Sequence, residues 1–238
     1  MTGRALAAQL EERLAALGSA DRAEHEKRYL KSELEHLGVS VPAIRKAAKE
    51  AVAERPGLDH DELCGAAGAL WERPVHECRM AAVELLDLRS DLLGADDLAL
   101  VERLIRESRT WALVDGLAAS VAGTLIDREP AAADVLDGWA VDEDFWVRRS
   151  ALLALLVPLR RGEGDFERFG RYADAMLDDP EPFIRKAIGW VLRDTARKRP
   201  GLVYEWLAPR AARASGTTVR EAVKHLTDEQ REAIAAAR

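Results

Sequence analysis

A five-residue pattern recurs along the chain and constrains its fold more than any other feature. Each copy reads apolar residue, arginine, variable residue, small residue, apolar or small residue. The five copies begin at Ile44, Cys78, Val147, Ile184 and Val219. A repeat of this period is typical of stacked helix pairs, with one copy early in the second helix of each pair. The pattern therefore predicts an all-α fold, a HEAT-like α-solenoid of about six helix pairs in one curved domain over residues 1–238.

The composition and the residues typical of helix boundaries favour helices throughout the chain. Hydrophobic residues make up 48% of the chain and are mostly alanine and leucine, whereas runs with strand alternation are hard to find. One predicted helix runs from Asp21 to Leu37 and stops at Gly38. Ser40 is predicted to cap the next one, with Pro42 in its first turn. The linkers are too short to mark a domain boundary.

The interval between Cys78 and Val147 leaves room for one further copy, which is predicted to begin at Ala112. In that register Leu113 replaces the arginine and Asp115 replaces the small packing residue. A carboxylate that breaks the packing rule of a repeat indicates use in function. The alternative is a shifted register, in which Asp115 is an ordinary exposed acid.

Charge is distributed unevenly although the net charge is −7. Residues 51–144 are strongly acidic and contain no lysine, whereas residues 145–200 carry more basic than acidic side chains. A chain of this kind can present a basic face for nucleic acid. Two other interpretations stay open, namely a solvated helix face and an acidic surface for a protein partner.

Several classes of protein are excluded by missing motifs. No phosphate-binding glycine loop, nucleophile elbow or HExxH zinc motif occurs. The five histidines show no metal-ligand spacing, and Cys64 and Cys78 are predicted to be buried fillers. We therefore expect no metal and no cofactor. Neither a transmembrane segment nor a signal peptide is predicted, so we expect a soluble cytoplasmic protein.

Tryptophans supply the candidate binding surface. Trp111 precedes Asp115 by four residues, which places both side chains on one face of a helix. Trp190 follows Arg185 and Lys186 on another predicted helix. Tryptophans beside basic residues on adjacent repeats suit stacking on a nucleic acid, although any single tryptophan is more often core. Three others are assigned to packing: Trp71, Trp139 and Trp206.

Six motifs, in order and spacing, resemble the bacterial AlkD-type DNA alkylation repair family from about Tyr29 to His225. The most distinctive is the block Lys186-Ala187-Ile188-Gly189-Trp190-Val191-Leu192-Arg193. The other five are Tyr29-Leu30-Lys31, Gly38-Val39-Ser40-Val41-Pro42 with Ile44-Arg45-Lys46, Trp111 with Val114-Asp115, Phe145-Trp146-Val147-Arg148-Arg149, and Arg220-Glu221-Ala222-Val223-Lys224-His225.

The resemblance implies a HEAT-like glycosylase that excises cationic N3- or N7-alkylated purines from double-stranded DNA without a closed base pocket. It implies Asp115 as the catalytic carboxylate, flanked by Trp111 and Trp190, with Arg149 beside them. The sequence departs from the family's frequent Trp-Trp-Asp pattern at two positions. Thr110 stands in place of the first Trp, and Ala112 stands in place of the Asp. The DNA-contacting residues are predicted to be Tyr29, Arg45, Arg148, Arg185 and Lys186.

Two other functions stay open at this point. The chain could be a non-catalytic HEAT-like protein that binds structured DNA, or a scaffold for a protein partner. Asp115 separates the enzyme from both, because neither alternative requires a carboxylate at that position. We expect a monomer that needs no metal, cofactor or membrane.

Overall fold

The computed structural model describes residues 2–238, and every regular element in that range is helical. This part of the chain contains no β-strand, only an isolated backbone bridge between Glu35 and Val75. The predicted all-α class is confirmed. Two compact units are present, the first ending at Leu117 and the second spanning Ala118–Arg238. None of the helices described is both long and apolar enough to cross a membrane.

The described residues of the first unit form seven α-helices. They are α1 (Thr2–Ala16), α2 (Ala20–Leu30), α3 (Val41–Ala53), α4 (His60–Trp71), α5 (His76–Leu88), α6 (Leu98–Ser108) and α7 (Trp111–Asp115). Short 3₁₀ turns at Ser90–Leu92 and Ala95–Asp97 connect α5 to α6. A π-helix, Gly116–Ala122, follows α7 directly.

Nine further α-helices form the second unit. They are α8 (Gly123–Arg128), α9 (Val135–Trp139), α10 (Phe145–Leu153), α11 (Leu156–Arg161), α12 (Phe166–Ala175), α13 (Pro182–Ala196), α14 (Pro200–Leu207), α15 (Gly216–Ala222) and α16 (Asp228–Ala236). Three 3₁₀ turns lie between them, at Pro130–Asp134, Ala208–Arg210 and Val223–His225.

The repeat pattern corresponds to a recurring position near the start of a helix. All five apolar residues that begin a copy are buried, at 7% exposure or less, on α3, α5, α10, α13 and α15. The predicted cap at Ser40 is confirmed, because its hydroxyl accepts a hydrogen bond from the Ala43 N–H and Pro42 lies in the first turn of α3. Local sequence therefore determines where α3 begins.

The helix predicted from Asp21 to Leu37 is wrong in its second half, because α2 ends at Leu30. Lys31 follows in the left-handed region with φ +50°, and the N–H groups of Lys31 and Ser32 bond to the last carbonyls of α2. Contacts with α5 then hold the chain out of a helix. The Glu77 carboxylate accepts hydrogen bonds from three successive N–H groups, those of Leu37, Gly38 and Val39.

The copy predicted to begin at Ala112 begins two residues later. Ala112 is half-buried, whereas Val114 is fully buried and the two residues after it are half-buried. Two more buried residues then follow, as in the copy at Ile44. Asp115 therefore takes the position that arginine holds in the other copies, and not the small packing position.

Candidate functional site

Trp111 is the first residue of α7, and its indole ring is half-buried. Tyr29, in the last turn of α2, meets it edge to face, with ring centroids 6.3 Å apart and ring planes at 90°. Tyr29 is 68% exposed as a whole residue. This geometry is favourable for an aromatic pair. The two residues form an aromatic step that solvent and a ligand can reach from the side of Tyr29.

Asp115 is the last residue of α7, one helical turn after Trp111, and its side chain is half-buried. The residues between them, Leu113 and Val114, are fully buried and anchor the helix in the core. Gly116 lets α7 approach α5, because a Cβ there would lie 2.8 Å from a methyl group of Val83. The π-helix that begins at Gly116 is a rare element that is frequent at functional sites.

Thr110, which departs from the Trp-Trp-Asp pattern of the resembling family, has a structural role. Its side chain accepts a hydrogen bond of 3.4 Å from the Ala112 N–H and so caps α7. Thr110 is buried, at 6% exposure. Thr110 therefore caps the short helix that carries Trp111 and Asp115.

A surface cleft of about 580 Å³ begins at Thr110, the neighbour of Trp111 along the chain. Its walls carry four basic side chains and two acidic ones: Lys31, Arg79, Arg106, Arg109, Glu33 and Glu107. Lys31 and Arg109 both have a φ of +50°, which glycine would normally occupy. Arg109 is 81% exposed at its side chain. No periodic signal in the sequence indicates these two residues.

Arg45, a predicted DNA contact, makes a bidentate ion pair with Glu84 of α5. The two bonds measure 2.7 and 2.9 Å, and the Glu84 side chain is only 6% exposed. The hydrogen bond to Glu84 raises the pKa of the Arg45 guanidinium. Arg45 therefore joins α3 to α5 and has its charge compensated there.

In the second unit, Arg148 and Arg185 converge on the turn at Asp179. Arg148 bonds to the Asp179 carboxylate at 2.9 Å and to the carbonyls of Asp142 and Glu143. Arg185 donates to the Asp179 carbonyl at 2.8 Å. The Arg148 side chain is 20% exposed. Arg148 thus ties the α12–α13 connection to the start of α10, and Arg185 ties the same turn to the start of α13.

Arg149 is buried, with 4% exposure, and donates a hydrogen bond of 2.5 Å to the Phe183 carbonyl. Phe183 also packs against Trp146, with ring centroids 4.8 Å apart. Lys186, one turn further along α13, is exposed and lies 5.4 Å above the Phe183 ring. Lys186 is therefore the more accessible of these two cations.

Trp190 is half-buried on α13 and donates its indole N–H to the Asp194 carboxylate at 3.2 Å. Asp194 is buried and also bonds to Arg160 and Arg193. Burial raises the pKa of Asp194, but the hydrogen bonds from Arg193 and Arg160 outweigh it and hold the pKa below its ordinary value. The network fixes the orientation of the Trp190 ring.

The predicted site residues thus fall into local groups. Tyr29 and Trp111 are in contact, and Asp115 lies on the same short helix as Trp111. In the second unit Arg148 and Arg185 share the Asp179 turn. Of the tryptophans assigned to packing, Trp71 and Trp139 are buried. Trp206 is half-buried, with its ring edge against Gly170.

One family of known proteins matches the chain both in sequence and in fold. The family model described as a DNA alkylation repair enzyme matches residues 10–226. Among solved structures, the chain is similar to a predicted DNA alkylation repair enzyme from Enterococcus faecalis. The TM-score is 0.80 and the identity 21%, over 89% of this chain and 97% of the other.

Two structures from Streptococcus mutans are also similar. AlkD2 has a TM-score of 0.61 and 20% identity, over 85% of this chain and 98% of its own. The protein smu.31 of strain UA159 has a TM-score of 0.60 and 19% identity, over 79% of this chain and 98% of its own. No curated protein matches the chain in sequence. At these identities the solved structures show a shared fold.

Proposed function

The chain belongs to the DNA alkylation repair enzyme family, and from that premise we propose that it excises cationic N3- and N7-alkylated purines from duplex DNA. The family makes it a DNA repair enzyme. The proposal adds the reaction, which is hydrolysis of the N-glycosidic bond, and the residues of this chain that assist it.

The observation that carries the proposal is the placement of Asp115. A half-buried carboxylate lies one helical turn from a half-buried tryptophan, on a short helix that ends in a π-helix. At the equivalent repeat position, the copies at Ile44, Cys78, Val147, Ile184 and Val219 all carry arginine. The reversal of charge at this one repeat favours a specific use for the carboxylate.

The leaving group explains why one carboxylate is sufficient. Alkylation at N3 or N7 gives the purine a positive charge, so the base departs as a neutral molecule and needs no general acid. Positive charge develops on the deoxyribose instead, and a fixed carboxylate stabilises it electrostatically. Asp115 is the group we assign to this task. The same carboxylate can orient or deprotonate the attacking water.

Aromatic and basic side chains supply the DNA contacts in the proposal. The Trp111 ring offers its face to a cationic nucleotide, a contact of about 0.5–2 kcal/mol. Tyr29 contacts Trp111, and Lys31 and Arg109 line the cleft that begins at the neighbouring Thr110. We assign these three side chains to the phosphate backbone. Lys186 and the Trp190 ring contribute further contacts from the second unit. Phosphate contacts of this kind position the duplex without reading its sequence.

Incubation with methylated duplex DNA tests the proposal directly. We expect release of free 3-methyladenine or 7-methylguanine, detected by chromatography, in buffer containing EDTA. DNA carrying uracil or 1,N6-ethenoadenine should not react, because a neutral leaving group needs an acid. Binding of DNA without base release would favour the non-catalytic DNA-binding alternative. Failure to bind DNA at all would favour a protein scaffold.

A further inference from the structure

Three side chains of types that bind transition metals meet at the surface of the first unit. They are His60 and Cys64 of α4 and Asp97 of the 3₁₀ turn before α6. Their donor atoms lie within 4.8 Å of one another. His60 Nε2 is 2.9 Å from Asp97 Oδ1, and Cys64 Sγ is 3.6 Å from His60 Nε2 and 3.9 Å from Asp97 Oδ1.

Local structure fixes the two donors on α4. Asp59 caps the helix by accepting a hydrogen bond of 2.8 Å from the Glu62 N–H, which makes His60 its first residue. Cys64 follows one turn later on the same face. This i, i+4 spacing of histidine and cysteine is visible in the sequence, although comparison of the histidines with one another does not reveal it. Cys64 is half-buried and thus not the buried filler predicted, whereas Cys78 is fully buried.

Outer hydrogen bonds orient two of the three donors toward the centre of the cluster. The other ring nitrogen of His60, Nδ1, lies 3.1 Å from the Asp61 carboxylate. The second oxygen of Asp97 accepts a hydrogen bond of 2.8 Å from the Gly94 N–H. A histidine that ligates a metal almost always donates its second N–H to a carboxylate, carbonyl or water. The arrangement around His60 and Asp61 has that form.

We propose that His60, Cys64 and Asp97 form a zinc(II) site with three protein ligands and one position open to water. Zinc–nitrogen and zinc–oxygen bonds near 2.0–2.1 Å and a zinc–sulfur bond near 2.3 Å separate tetrahedral donors by about 3.3–3.6 Å. The separations in the cluster differ from these values by only a few tenths of an ångström. Imidazole, thiolate and carboxylate together are a donor set that suits zinc.

The site is open to solvent and connects two segments of the first unit. The His60 side chain is 47% exposed, so the ion can enter directly, whereas Asp97 is 15% exposed. Bound zinc joins the first turn of α4 to the turn that precedes α6. Neither Trp111 nor Asp115 belongs to the cluster. Zinc bound at this site stabilises the folded state, because it binds the folded chain selectively.

Cobalt(II) titration of the full chain under reducing conditions tests the site. A cobalt–thiolate bond gives a charge-transfer absorption that excess zinc removes. We expect this absorption in the unaltered protein, its loss in Cys64→Ser, and at least about tenfold weaker cobalt binding in Asp61→Asn. His225→Ala, which alters an exposed histidine outside the cluster, is the matched control and should titrate like the unaltered protein. The buried Cys78 is present in every variant.

Two results would overturn the zinc site. One is an unaltered protein that shows no thiolate charge transfer at millimolar cobalt, and the other is a Cys64→Ser protein that keeps it. Melting curves provide a second readout, in which zinc raises the midpoint of the unaltered protein but not that of Cys64→Ser. Base excision by Cys64→Ser should equal that of the unaltered protein. The proposed zinc site and the proposed glycosylase reaction are therefore tested by separate measurements.

Discussion

Tyr29 and Trp111 meet edge to face, 6.3 Å between ring centroids, although they come from the last turn of α2 and the first residue of α7. The contact depends on two helix ends. Lys31 stops α2 with a left-handed residue just after Tyr29, and the Thr110 side chain caps α7 just before Trp111. Both rings therefore lie at the ends of helices.

Replacement of Trp111 tests this aromatic step. We expect Trp111→Ala to weaken binding of alkylated DNA by about 0.5–2 kcal/mol, the contribution of a cation–π contact with the alkylated nucleotide. Trp111→Phe keeps a ring face and should retain most of the affinity. Fluorescence anisotropy with a labelled duplex gives both values. An alanine variant that is folded and binds like the unaltered protein would exclude Trp111 from the interface.

Replacement of Asp115 tests the proposed catalytic role. Asp115→Asn keeps the size of the side chain and one acceptor oxygen but removes the charge. We expect the excision rate to fall by about 10²-fold, equivalent to about 3 kcal/mol of transition-state stabilisation. DNA affinity should change little or rise, because one negative charge near the phosphates is lost. Single-turnover excision of 7-methylguanine gives the rate.

Asp87→Asn is the matched control for that experiment. Asp87 is a half-buried carboxylate of α5 in the same unit, and burial raises its pKa. Its replacement should leave the excision rate unchanged. If Asp115→Asn and Asp87→Asn have the same rate as the unaltered protein, and both melt normally, Asp115 has no part in the chemistry.

The sequence predicted the helical fold well because its signals are local. Burial of the apolar residue in all five copies and the Ser40 cap depend only on residues a few positions apart. The register at Val114 could not be found in this way. From Trp111 to Ile126 apolar residues occupy 11 of the 16 positions, so several registers fit, and the π-helix changes the period within the same stretch.

The arginines show a different limit of sequence interpretation. Arg45 and Arg148 are predicted DNA contacts, and each also bonds to an acid that lies on, or just before, a following helix, namely Glu84 and Asp179. The Arg45 side chain is still 52% exposed. A guanidinium that binds a phosphate and one that joins two helices have the same local sequence. Only the distant partner distinguishes them. The left-handed conformations of Lys31 and Arg109 likewise have no signature in residue type.

Arg109 offers a test in which stability and binding separate. Arg109→Gly and Arg109→Ala both remove the guanidinium, but only glycine tolerates a φ of +50° without strain. We expect the glycine variant to be more stable than the alanine variant by about 1 kcal/mol. Both variants should lose the same amount of DNA affinity. In both, the slope of log binding constant against log salt should fall by about the value of one phosphate contact. Equal stabilities would contradict the strain, and unchanged binding would contradict the phosphate contact.

Charge reversal distinguishes the accessible cation of α13 from the structural one of α10. Arg148→Glu would place a carboxylate against Asp179 and two backbone carbonyls, so we expect a loss of about 3–5 kcal/mol in unfolding free energy. Lys186→Glu changes an exposed side chain and should keep the melting temperature while weakening DNA binding. Chemical denaturation and binding curves measure the two effects. A stable Arg148→Glu protein with reduced DNA affinity would instead assign Arg148 to the interface.

The buried histidine pair gives the fold a defined response to acid. The rings of His36 and His76 stack 4.6 Å apart with their planes at 6°. Burial lowers the pKa of both, and the pKa of His76 falls to about 4. A proton on His36, when present, also lowers the pKa of His76, as does Arg79, whereas Glu77 raises it. Both rings are therefore neutral in the folded protein near neutral pH.

The free energy of unfolding should consequently fall as the pH drops from about 6.5 toward 4, because His76 binds a proton in the unfolded chain but not in the folded chain. One proton changes the unfolding free energy by about 1.4 kcal/mol per pH unit. His76→Phe keeps the stacked ring but cannot titrate, so its stability should decline less steeply, whereas His25→Gln, at an exposed position, should match the unaltered protein. The pKa of His60, raised by its hydrogen bond to Asp97, contributes with the opposite sign but is common to all three proteins. Urea denaturation at pH 7.0, 6.0 and 5.0 measures the slopes, and identical slopes for His76→Phe and the unaltered protein would show that His76 is protonated equally in both states.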